Sequence, residues 1–287
     1  DTKRYSPKNK RLLVKKSLGL TLEKEAMNKS GVSMLLTIDV GNTNITLGIY
    51  QNKKLIHSWR LATDHPRMPD EYGLQFWGLF SQTKYSLEEL TGVCMASVVP
   101  PVTGNIVQAC KQYLDHEPLV VDAGVKTGVR ILYENPRAVG ADRIVDTVAV
   151  QHLYGGPACV VDFGTGTTFD AISDEGEYLG GAIAPGIGIA AEALFTRAAK
   201  LPRVDLDRPP SVIGRNTTQA MQSGLLFGYV GLVEGMVARF RAELGSNMKA
   251  IATGGLAEVI TRETKVIDTV NPWLTLEGLR LIWNLNQ

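Results

Sequence analysis

Residues 34–50 have the sequence MLLTIDVGNTNITLGIY, which predicts an apolar strand, a tight turn and a second strand. The first strand ends near Asp39, the turn runs from Gly41 to Asn44, and Ile45 to Tyr50 alternate as in a half-buried strand, so a β-hairpin is expected. An acid followed by amide and hydroxyl side chains also suits a phosphate, because backbone N–H groups can surround the anion while the acid places a metal ion. A plain hairpin with an Asx-type turn is the alternative interpretation.

The same design occurs again in residues 158–172, which have the sequence ACVVDFGTGTTFDAI. An apolar strand ends in Asp162, the chain turns through Gly164 to Thr167, and a strand resumes at Thr168. Two such units in one chain indicate two related domains that face each other across a nucleotide. Strands that alternate with helices elsewhere in the sequence favour an α/β fold with a partly parallel sheet.

Between the two hairpins, residues 135–154 predict a helix that begins after Gly140. Asp142 would lie in its first turn, where the helix dipole stabilises an ionised carboxylate by about 0.3–1 kcal/mol. The side chain is either a reactive acid or an ordinary carboxylate at a helix start, and this segment alone leaves both interpretations open.

Glycines after residue 180 indicate close packing rather than a dinucleotide site. Gly186, Gly188 and Ala191 match the pattern G-x-G-x-x-A, but Pro185 and the interior position do not suit a Rossmann fingerprint. A glycine-rich loop that opens a helix over residues 189–199 is the preferred interpretation.

Two further glycine patterns lie nearer the C-terminus. A helix is predicted over residues 216–244. Each glycine in a helix costs about 0.8–1 kcal/mol of stability relative to alanine. A stripe of glycines therefore implies that another backbone approaches the helix closely, either within the fold or across a dimer. The stripe consists of Gly224, Gly228, Gly231 and Gly235. A strand predicted over residues 249–253 ends in a double glycine, which either lets a flat ring approach the backbone or forms a simple tight turn.

Composition and charge are those of a globular protein with one large or two medium domains. The chain has 287 residues, of which 44% are hydrophobic and 21% are charged. Residues 1–33 carry nine Lys or Arg against three Asp or Glu, a net charge of +6, so the remainder is mildly acidic and a broad nucleic-acid-binding face is not expected. Residues 1–33 are interpreted as a non-native leader before a true start at Met34, and a basic arm for an acidic partner is the alternative.

Cysteine and histidine are too scattered to predict a disulfide framework or a zinc site. Cys94, Cys110 and Cys159 lie in apolar runs without C-x-x-C spacing, which is typical of buried thiols in a reducing compartment. Lys15 and Lys16 interrupt the apolar residues of the leader, so neither a signal sequence nor a membrane span is predicted. A cytoplasmic location is expected.

Six motifs follow one another along the chain: DVGNTN, VGADR, DFGTGTTFD, GGAIAPGIG, NTTQAMQSG and ATGG. In this order they resemble the type III pantothenate kinases, a branch of the acetate and sugar kinase/heat-shock chaperone/actin superfamily. The likeness covers nearly everything from Met34 to the C-terminus. Gly166 and the pair Ala190-Ala191 are mild departures from the family pattern.

The resemblance implies an α/β fold of two related actin-like (ribonuclease H-like) domains, each with a mixed sheet flanked by helices, and ATP in the cleft between them. Residues 34–154 would form the N-terminal domain, with the first phosphate loop and the catalytic Asp. Residues 155–287 would form the C-terminal domain, with the second phosphate loop and the adenosine loop, and residues 1–33 would be a disordered leader. A homodimer is also implied, with Thr217 reaching the pocket of a neighbour.

The family's functional residues carry over at the matching positions. The first phosphate loop would be Asp39, Val40, Gly41, Asn42, Thr43, Asn44, Ile45 and Thr46, with Asp39 placing Mg²⁺ on ATP through water. Asp162 would bind K⁺ or NH₄⁺, Thr165 would touch the nucleotide, and Gly254 and Gly255 would border the adenosine. Pantothenate would contact Tyr133, Gly140, Ala141, Asp142, Arg143 and Thr217, and Asp142 would be the base.

The resemblance thus implies ATP-dependent phosphorylation of pantothenate to 4′-phosphopantothenate, the first step toward coenzyme A. The residue types agree, because phosphoryl transfer needs mainly positioning and charge neutralisation, and a carboxylate can accept the proton of the attacking hydroxyl. Arg143 beside Asp142 suits an anionic or amide-bearing substrate, and without a G-K-[ST] sequence no P-loop is predicted. The alternatives are a kinase for another small alcohol, a catalytically silent nucleotide-binding regulator, and a DNA-associated factor.

Overall fold

The computed structural model describes residues 33–63 and 67–287, which form two compact units. The first unit comprises residues 33–40 and 44–120, and the second comprises Gly41–Thr43 and Val121–Gln287. The interpretation of residues 1–33 as a leader concerns residues that lie, apart from Ser33, outside those described.

The described part of the first unit is built on a five-stranded mixed sheet. Its strands are β1 (Met34–Val40), β2 (Asn44–Gln51), β3 (Lys54–Ala62), β4 (Leu90–Ser97) and β5 (Leu119–Val120). They lie in the order β3-β2-β1-β4-β5, with β1 antiparallel to β2 and parallel to β4. Helices α1 (Pro69–Ser81) and α2 (Pro100–Ala109) contribute apolar side chains to its core. The hairpin predicted in residues 34–50 is confirmed.

The second unit repeats this design. Its strands are β6 (Ala158–Phe163), β7 (Gly166–Ile172), β8 (Tyr178–Pro185), β9 (Lys249–Thr253) and β10 (Thr269–Val270). They lie in the order β10-β9-β6-β7-β8, with β6 antiparallel to β7 and parallel to β9. The helices are α3 (Ala141–Leu153), α4 (Ile187–Arg197), α5 (Thr217–Leu244), α6 (Ala257–Thr261) and α7 (Leu274–Leu285). Two related α/β domains with mixed sheets and flanking helices are therefore confirmed.

The two faces of the second sheet are covered by different helices. Because side chains alternate along a strand, Val161 of β6 lies on one face with buried residues of α5, and Val160 lies on the other with Ala149 and Val150 of α3. Leu274 of α7 joins the α3 side. This arrangement places α3 over the same face as the even-numbered residues of β6.

The boundary between the units lies after Val120, earlier than the predicted boundary after residue 154. Residues 121–154 belong to the second unit because α3 packs on α7 and contacts β6 and β7. The prediction that the catalytic Asp lies in the N-terminal domain is therefore wrong, since Asp142 is part of α3.

The segment over residues 129–133, which alternates like a strand, forms a single bridge between Ile131 and Tyr178 within the described chain. Leu132 donates its N–H to the Tyr178 carbonyl, and Tyr178 donates to Arg130. Gly128, with a φ of +74°, bends the chain just before this contact. The bridge and these two hydrogen bonds hold the segment against β8.

The glycine stripe of α5 faces outward. A Cβ atom on Gly224, Gly228 or Gly231 would meet no atom of the described chain within 4 Å. The prediction that another backbone of the same fold approaches these three glycines is therefore wrong. The prediction that a backbone approaches them across a dimer stays a prediction.

Helix α5 is also the one described helix long and apolar enough to cross a membrane, and 44% of its most apolar window is buried. Its buried residues belong to the core of the second unit, which accounts for this composition.

Gly278 provides a test of the packing that positions α3. A Cβ atom at Gly278 on α7 would overlap the Val145 carbonyl oxygen and lie 2.6 Å from Val145 Cγ1. We expect Gly278→Ala to lower the free energy of unfolding by about 1–3 kcal/mol, as overpacking does, although alanine has the higher helix propensity. Thermal and urea unfolding measure this effect. Gly104→Ala on α2, where a Cβ would meet no atom within 4 Å, is the matched control and should be neutral or stabilising. A Gly278→Ala protein as stable as that control would contradict the packing described.

Candidate functional site

Register along the β6–β7 hairpin brings two aspartates of the second unit to one face of its sheet. Asp162 pairs with Thr168, and Val160 pairs with Asp170, so these four side chains share a face. Helix α3 packs against that face, and Asp142 is its second residue. The negative charges of Asp142 and Asp170 both raise the pKa of Asp162, so the three carboxylates are considered together as one electrostatic cluster.

Asp162 is a carboxylate that has no compensating partner among the residues that the structure describes. Burial, followed by the negative charges of Asp142 and Asp170, raises the pKa of Asp162 to about 7. Within the described ranges no cation or hydrogen-bond donor offsets these effects. A carboxylate among like charges favours its neutral form unless a positive charge comes close. The residue predicted to bind a monovalent cation therefore lies where a cation would be stabilising.

Glycines allow the backbone to approach Asp162. A Cβ atom on Gly254, whose φ is +92°, would overlap Asp162 Oδ1 and lie 2.7 Å from Phe163 N. A Cβ on Gly164 would lie 3.4 Å from Asp162 Oδ2. Parallel pairing of Asp162 with Thr253 brings the C-terminal ends of β6 and β9 to the same sheet edge. The predicted adenosine loop therefore begins beside Asp162, and its second glycine, Gly255, is exposed.

Asp142 lies partly buried in the first turn of α3, after Gly140 at the N-cap position and Ala141 at the first helical position. Burial raises the pKa of its carboxyl group. The backbone N–H of Arg143, which donates to Asp142 Oδ1 at 2.8 Å, and the Arg143 guanidinium act in the opposite direction. A carboxylate with a raised pKa is a better proton acceptor, so Asp142 has the chemistry of a general base.

Arg143 is bound to Asp170, a residue that was not predicted as part of the site. Arg143 Nε lies 2.6 Å from Asp170 Oδ1, Tyr178 donates its hydroxyl to the same oxygen at 3.1 Å, and Thr168 donates to Oδ2 at 3.1 Å. Burial raises the pKa of Asp170 to about 6, even though Arg143 and the two hydroxyl donors lower it. The observed register of the hairpin places Asp170 on the same face as Asp162, and this register is the signal that the sequence alone does not supply.

Tyr133 lies near the same group through Tyr178. The two rings have centroids 6.1 Å apart, and Arg143 Cζ lies 5.8 Å from the Tyr178 ring. A Cβ atom on Gly180 would lie 3.5 Å from the Tyr133 ring, so the glycine makes room for it. Tyr133 is 42% exposed and can contact a ligand. The structure thus brings together the predicted substrate residues Tyr133, Gly140, Ala141, Asp142 and Arg143.

The tip of the first predicted phosphate loop, Gly41–Thr43, groups with the second unit. Asn42 and Thr43 are exposed, and the hydroxyl oxygens of Thr43 and Thr165 are 2.8 Å apart. The second loop is supported from behind, since Gly186 donates its N–H to the Thr165 carbonyl at 3.1 Å. A Cβ on Gly186 would overlap that carbonyl oxygen, which agrees with the predicted packing role of this glycine.

The rest of the first loop belongs to the sheet of the first unit. Asp39 is partly buried and pairs with Thr46 across the β1–β2 hairpin, and Asn44 at the start of β2 is exposed. The Val40 and Ile45 side chains are fully buried in the core, so only their backbone atoms could contact a nucleotide.

Thr217 lies at a different place in the second unit. It is exposed at the start of α5 and lines an open groove of about 820 Å³ between α4 and α5, together with Leu194 and Tyr229. The described chain does not bring it into the carboxylate cluster.

The fold is shared with solved structures of low sequence identity. A Campylobacter jejuni protein described as a Baf family transcriptional activator matches with a TM-score of 0.52 and 18% identity, covering 88% of this chain and 97% of the other. A Sinorhizobium meliloti protein described as a 2-dehydro-3-deoxygalactonokinase matches with a TM-score of 0.51 and 12% identity, covering 88% and 98%. At these identities the likeness concerns the fold alone.

Sequence relatives are much closer. Proteins named type III pantothenate kinase from Moorella thermoacetica, Roseiflexus sp. strain RS-1 and Brevibacillus brevis are 57%, 53% and 51% identical to this chain. Each alignment covers 88% of this chain and 100% of the relative. The family model for type III pantothenate kinase matches residues 35–239. The chain therefore belongs to the type III pantothenate kinase family.

Proposed function

We propose that this chain transfers the γ-phosphoryl group of ATP to the primary hydroxyl of pantothenate, giving 4′-phosphopantothenate in the first step of coenzyme A biosynthesis. The observation that carries the proposal is the pairing of Asp142, a carboxylate with a raised pKa, with Arg143 at the start of α3 in a chain of this family. Neither a plain hairpin nor an ordinary helix-start carboxylate accounts for the three clustered aspartates.

Asp142 acts as the general base. Phosphoryl transfer proceeds through a loose transition state, so the main need is a positioned hydroxyl whose proton is removed as the new bond forms. Burial raises the pKa of the Asp142 carboxyl toward that of a useful acceptor. The Arg143 N–H bond to Asp142 Oδ1 orients the carboxylate, and this leaves Oδ2 to accept the substrate proton.

Arg143 and Tyr133 bind the acceptor. Pantothenate carries a carboxylate at the end opposite its reactive hydroxyl, with one amide group between them. The guanidinium of Arg143 supplies positive charge and fixed donors for such a molecule, and the exposed Tyr133 ring supplies an apolar surface with a hydroxyl at its edge. Gly140 and Ala141 lie directly before the base and would contact the substrate through their backbone.

The hydroxyl-rich turns hold the phosphates of ATP. Thr43 and Thr165 present two neighbouring hydroxyls, and Gly41, Asn42, Asn44, Ile45 and Thr46 add backbone and side-chain groups of the first loop. Asp39 would hold Mg²⁺ through water, and the metal supplies charge neutralisation on the phosphates when bound. Gly254 and Gly255 would border the adenosine, because a residue without a side chain allows a ring to approach the backbone.

Asp162 holds a monovalent cation, K⁺ or NH₄⁺. Its carboxylate has a raised pKa, two acidic neighbours and no offsetting partner in the described residues. A cation beside it would favour the ionised form and add positive charge near the phosphates, in the place that a lysine occupies in P-loop enzymes.

A homodimer in the cytoplasm completes the proposal. The exposed glycine stripe of α5 would let the same helix of a second copy approach closely, and the adjoining groove would bring Thr217 toward the neighbour. No role for nucleic acid or a membrane is included, since the chain from residue 34 onward is mildly acidic and α5 contributes to a core.

Replacing Asp142 tests the base. We expect Asp142→Asn to lower kcat about 10²- to 10⁴-fold, the usual worth of general base catalysis, because the amide cannot take up the proton. A coupled ADP-release assay with pantothenate measures the rate, and isothermal titration measures ATP affinity, which should be nearly unchanged.

Asp70→Asn is the matched control for this variant. Asp70 is likewise the second residue of a helix, α1, but it is exposed and lies in the first unit. Its rates should equal those of the parent chain. Substantial activity in Asp142→Asn would exclude this residue as the base, and a parent chain that prefers other acceptor alcohols in a substrate panel would redirect the proposal to another kinase.

The cation site predicts a dependence on the buffer salt. The rate with pantothenate and Mg·ATP should be higher in K⁺ or NH₄⁺ than in Na⁺ at equal ionic strength. Asp162→Asn should be slow in all three salts, because its neutral amide no longer attracts the cation. Asp174→Asn, at an exposed position of the β7–β8 turn, should keep the full salt dependence. Equal rates of the parent chain in K⁺ and Na⁺ would remove the cation role of Asp162.

The dimer can be tested at Gly228. A Cβ atom at this position meets no atom within 4 Å in the described residues, apart from its chain neighbours and the adjacent backbone of α5, so the fold should tolerate Gly228→Leu. In a dimer built on the α5 stripe the added side chain would separate the subunits, and sedimentation should show a shift from dimer to monomer with unchanged circular dichroism. A parent chain that sediments as a monomer would rule out the dimer.

A further inference from the structure

We propose that Asp170 is a positioning residue that fixes the Arg143 guanidinium for binding the carboxylate end of the acceptor substrate. This inference rests on the proposed function, because it assigns to Asp170 the orientation of a side chain that would bind pantothenate. Asp170 itself would contact neither the substrate nor the transferred phosphoryl group.

The ion pair between the two residues is almost completely removed from solvent. The Asp170 side chain is 2% exposed and the Arg143 side chain is 14% exposed, and Nε lies 2.6 Å from Oδ1. Arginine has a planar group with five N–H donors in fixed directions. Holding Nε in one place therefore restricts the plane of the guanidinium and the directions of its terminal N–H groups.

One of these terminal groups is left without a partner. Arg143 Nη2 is buried and makes no hydrogen bond within the described residues. A buried charged donor without an acceptor is costly, so such groups are usually matched by protein, water or ligand. A carboxylate is the natural acceptor for a guanidinium, so the charge of Arg143 favours an anionic ligand at the part of its side chain that stays exposed.

Neighbouring residues confine the guanidinium from two further sides. A Cβ atom on Gly181 would lie 2.9 Å from Nη2 and would overlap the Phe169 carbonyl oxygen, so Gly181 is needed to leave room for the Arg143 side chain. On another side, the Tyr178 ring lies 5.8 Å from Arg143 Cζ. The position of the group is thus set by β7 and β8 together rather than by α3 alone.

Asp170 is in turn held by two hydroxyl donors. Tyr178 donates to Oδ1, the oxygen that also binds Arg143, and Thr168 donates to Oδ2. These bonds occupy both carboxylate oxygens and prevent the side chain from rotating away from Arg143. A residue with only a charge-balancing role would not need such a fixed orientation, and this favours positioning.

The experiment compares two acceptors that differ at one end. Pantothenate carries a carboxylate, and panthenol has an alcohol there but the same reactive hydroxyl. The parent chain should prefer pantothenate in kcat/KM if Arg143 binds the carboxylate. For Asp170→Asn in the full chain we expect kcat/KM for pantothenate to fall about 10- to 100-fold, mainly through KM, with a much smaller fall for panthenol and an unchanged KM for ATP.

A double-mutant cycle shows whether Asp170 acts through Arg143. Arg143→Gln should reduce the preference for pantothenate as Asp170→Asn does, and adding Asp170→Asn to Arg143→Gln should reduce it little further. Glu263→Gln is the matched control, because Glu263 binds Arg208 Nε at 2.8 Å in the same unit and should leave both acceptors unaffected. Equal losses for the two acceptors in Asp170→Asn, or additive losses in the cycle, would overturn the inference.

Tyr178→Phe keeps the test decisive should Asp170→Asn fail to fold. This variant retains the carboxylate and the ring but removes the hydroxyl bond to Oδ1, so a smaller loss of preference in the same direction is expected, and an unchanged preference would count against positioning. Failure of the underlying function is a separate outcome, since the parent chain would then not phosphorylate pantothenate at all.

Discussion

Strand β6 is hydrogen-bonded on both sides, antiparallel to β7 and parallel to β9, and the position of the site follows from this double pairing. The antiparallel register puts Asp162 and Asp170 on one sheet face, while the parallel register ends β6 and β9 together and brings Gly254 against Asp162. Helix α3 covers the same face and adds Asp142 from its first turn. A one-residue slip of β7 against β6 would turn Asp170 to the sheet face opposite Asp162.

Clustering three carboxylates in a protein interior is electrostatically unfavourable, and each is stabilised differently. Asp170 has an arginine and two hydroxyl donors, and Asp142 has a backbone N–H and the more distant charge of the same arginine. Asp162 has neither within the described residues, so burial and like charges raise its pKa to about 7. The cation proposed at Asp162 would therefore have a physical reason, because the Arg143 guanidinium lowers the pKa of Asp170 and of Asp142 but not that of Asp162.

Much of this could be predicted from the sequence because hairpins and helix starts are local features. Asp162 and Asp142 are recognisable from a strand end and a helix start, and these two local elements are present, although Asp142 lies in the second unit and not in the first. Asp170 was missed because an acid inside a strand gains its meaning from register, which the sequence alone does not supply. The boundary after Val120 was missed for a related reason, since the packing of α3 on α7 joins segments more than a hundred residues apart.

Comparison of the two hairpins shows why the ion pair with Arg143 lies in the second unit. Asp39 and Asp162 occupy the same position, next to last in the first strand of each hairpin, and each pairs with a threonine. Two residues earlier the register is still the same, but the paired residues differ. Thr37 pairs with Gly48 in the first hairpin, whereas Val160 pairs with Asp170 in the second. Gly48 has no side chain, and the Thr37 hydroxyl donates a hydrogen bond to the Gly48 carbonyl at 3.1 Å. The first hairpin thus has an acid at its strand end but lacks, at the position that matches Asp170, a carboxylate that could hold an arginine. A single acidic position thus distinguishes the second hairpin from the first, and this position holds Arg143 through the 2.6 Å ion pair with Asp170.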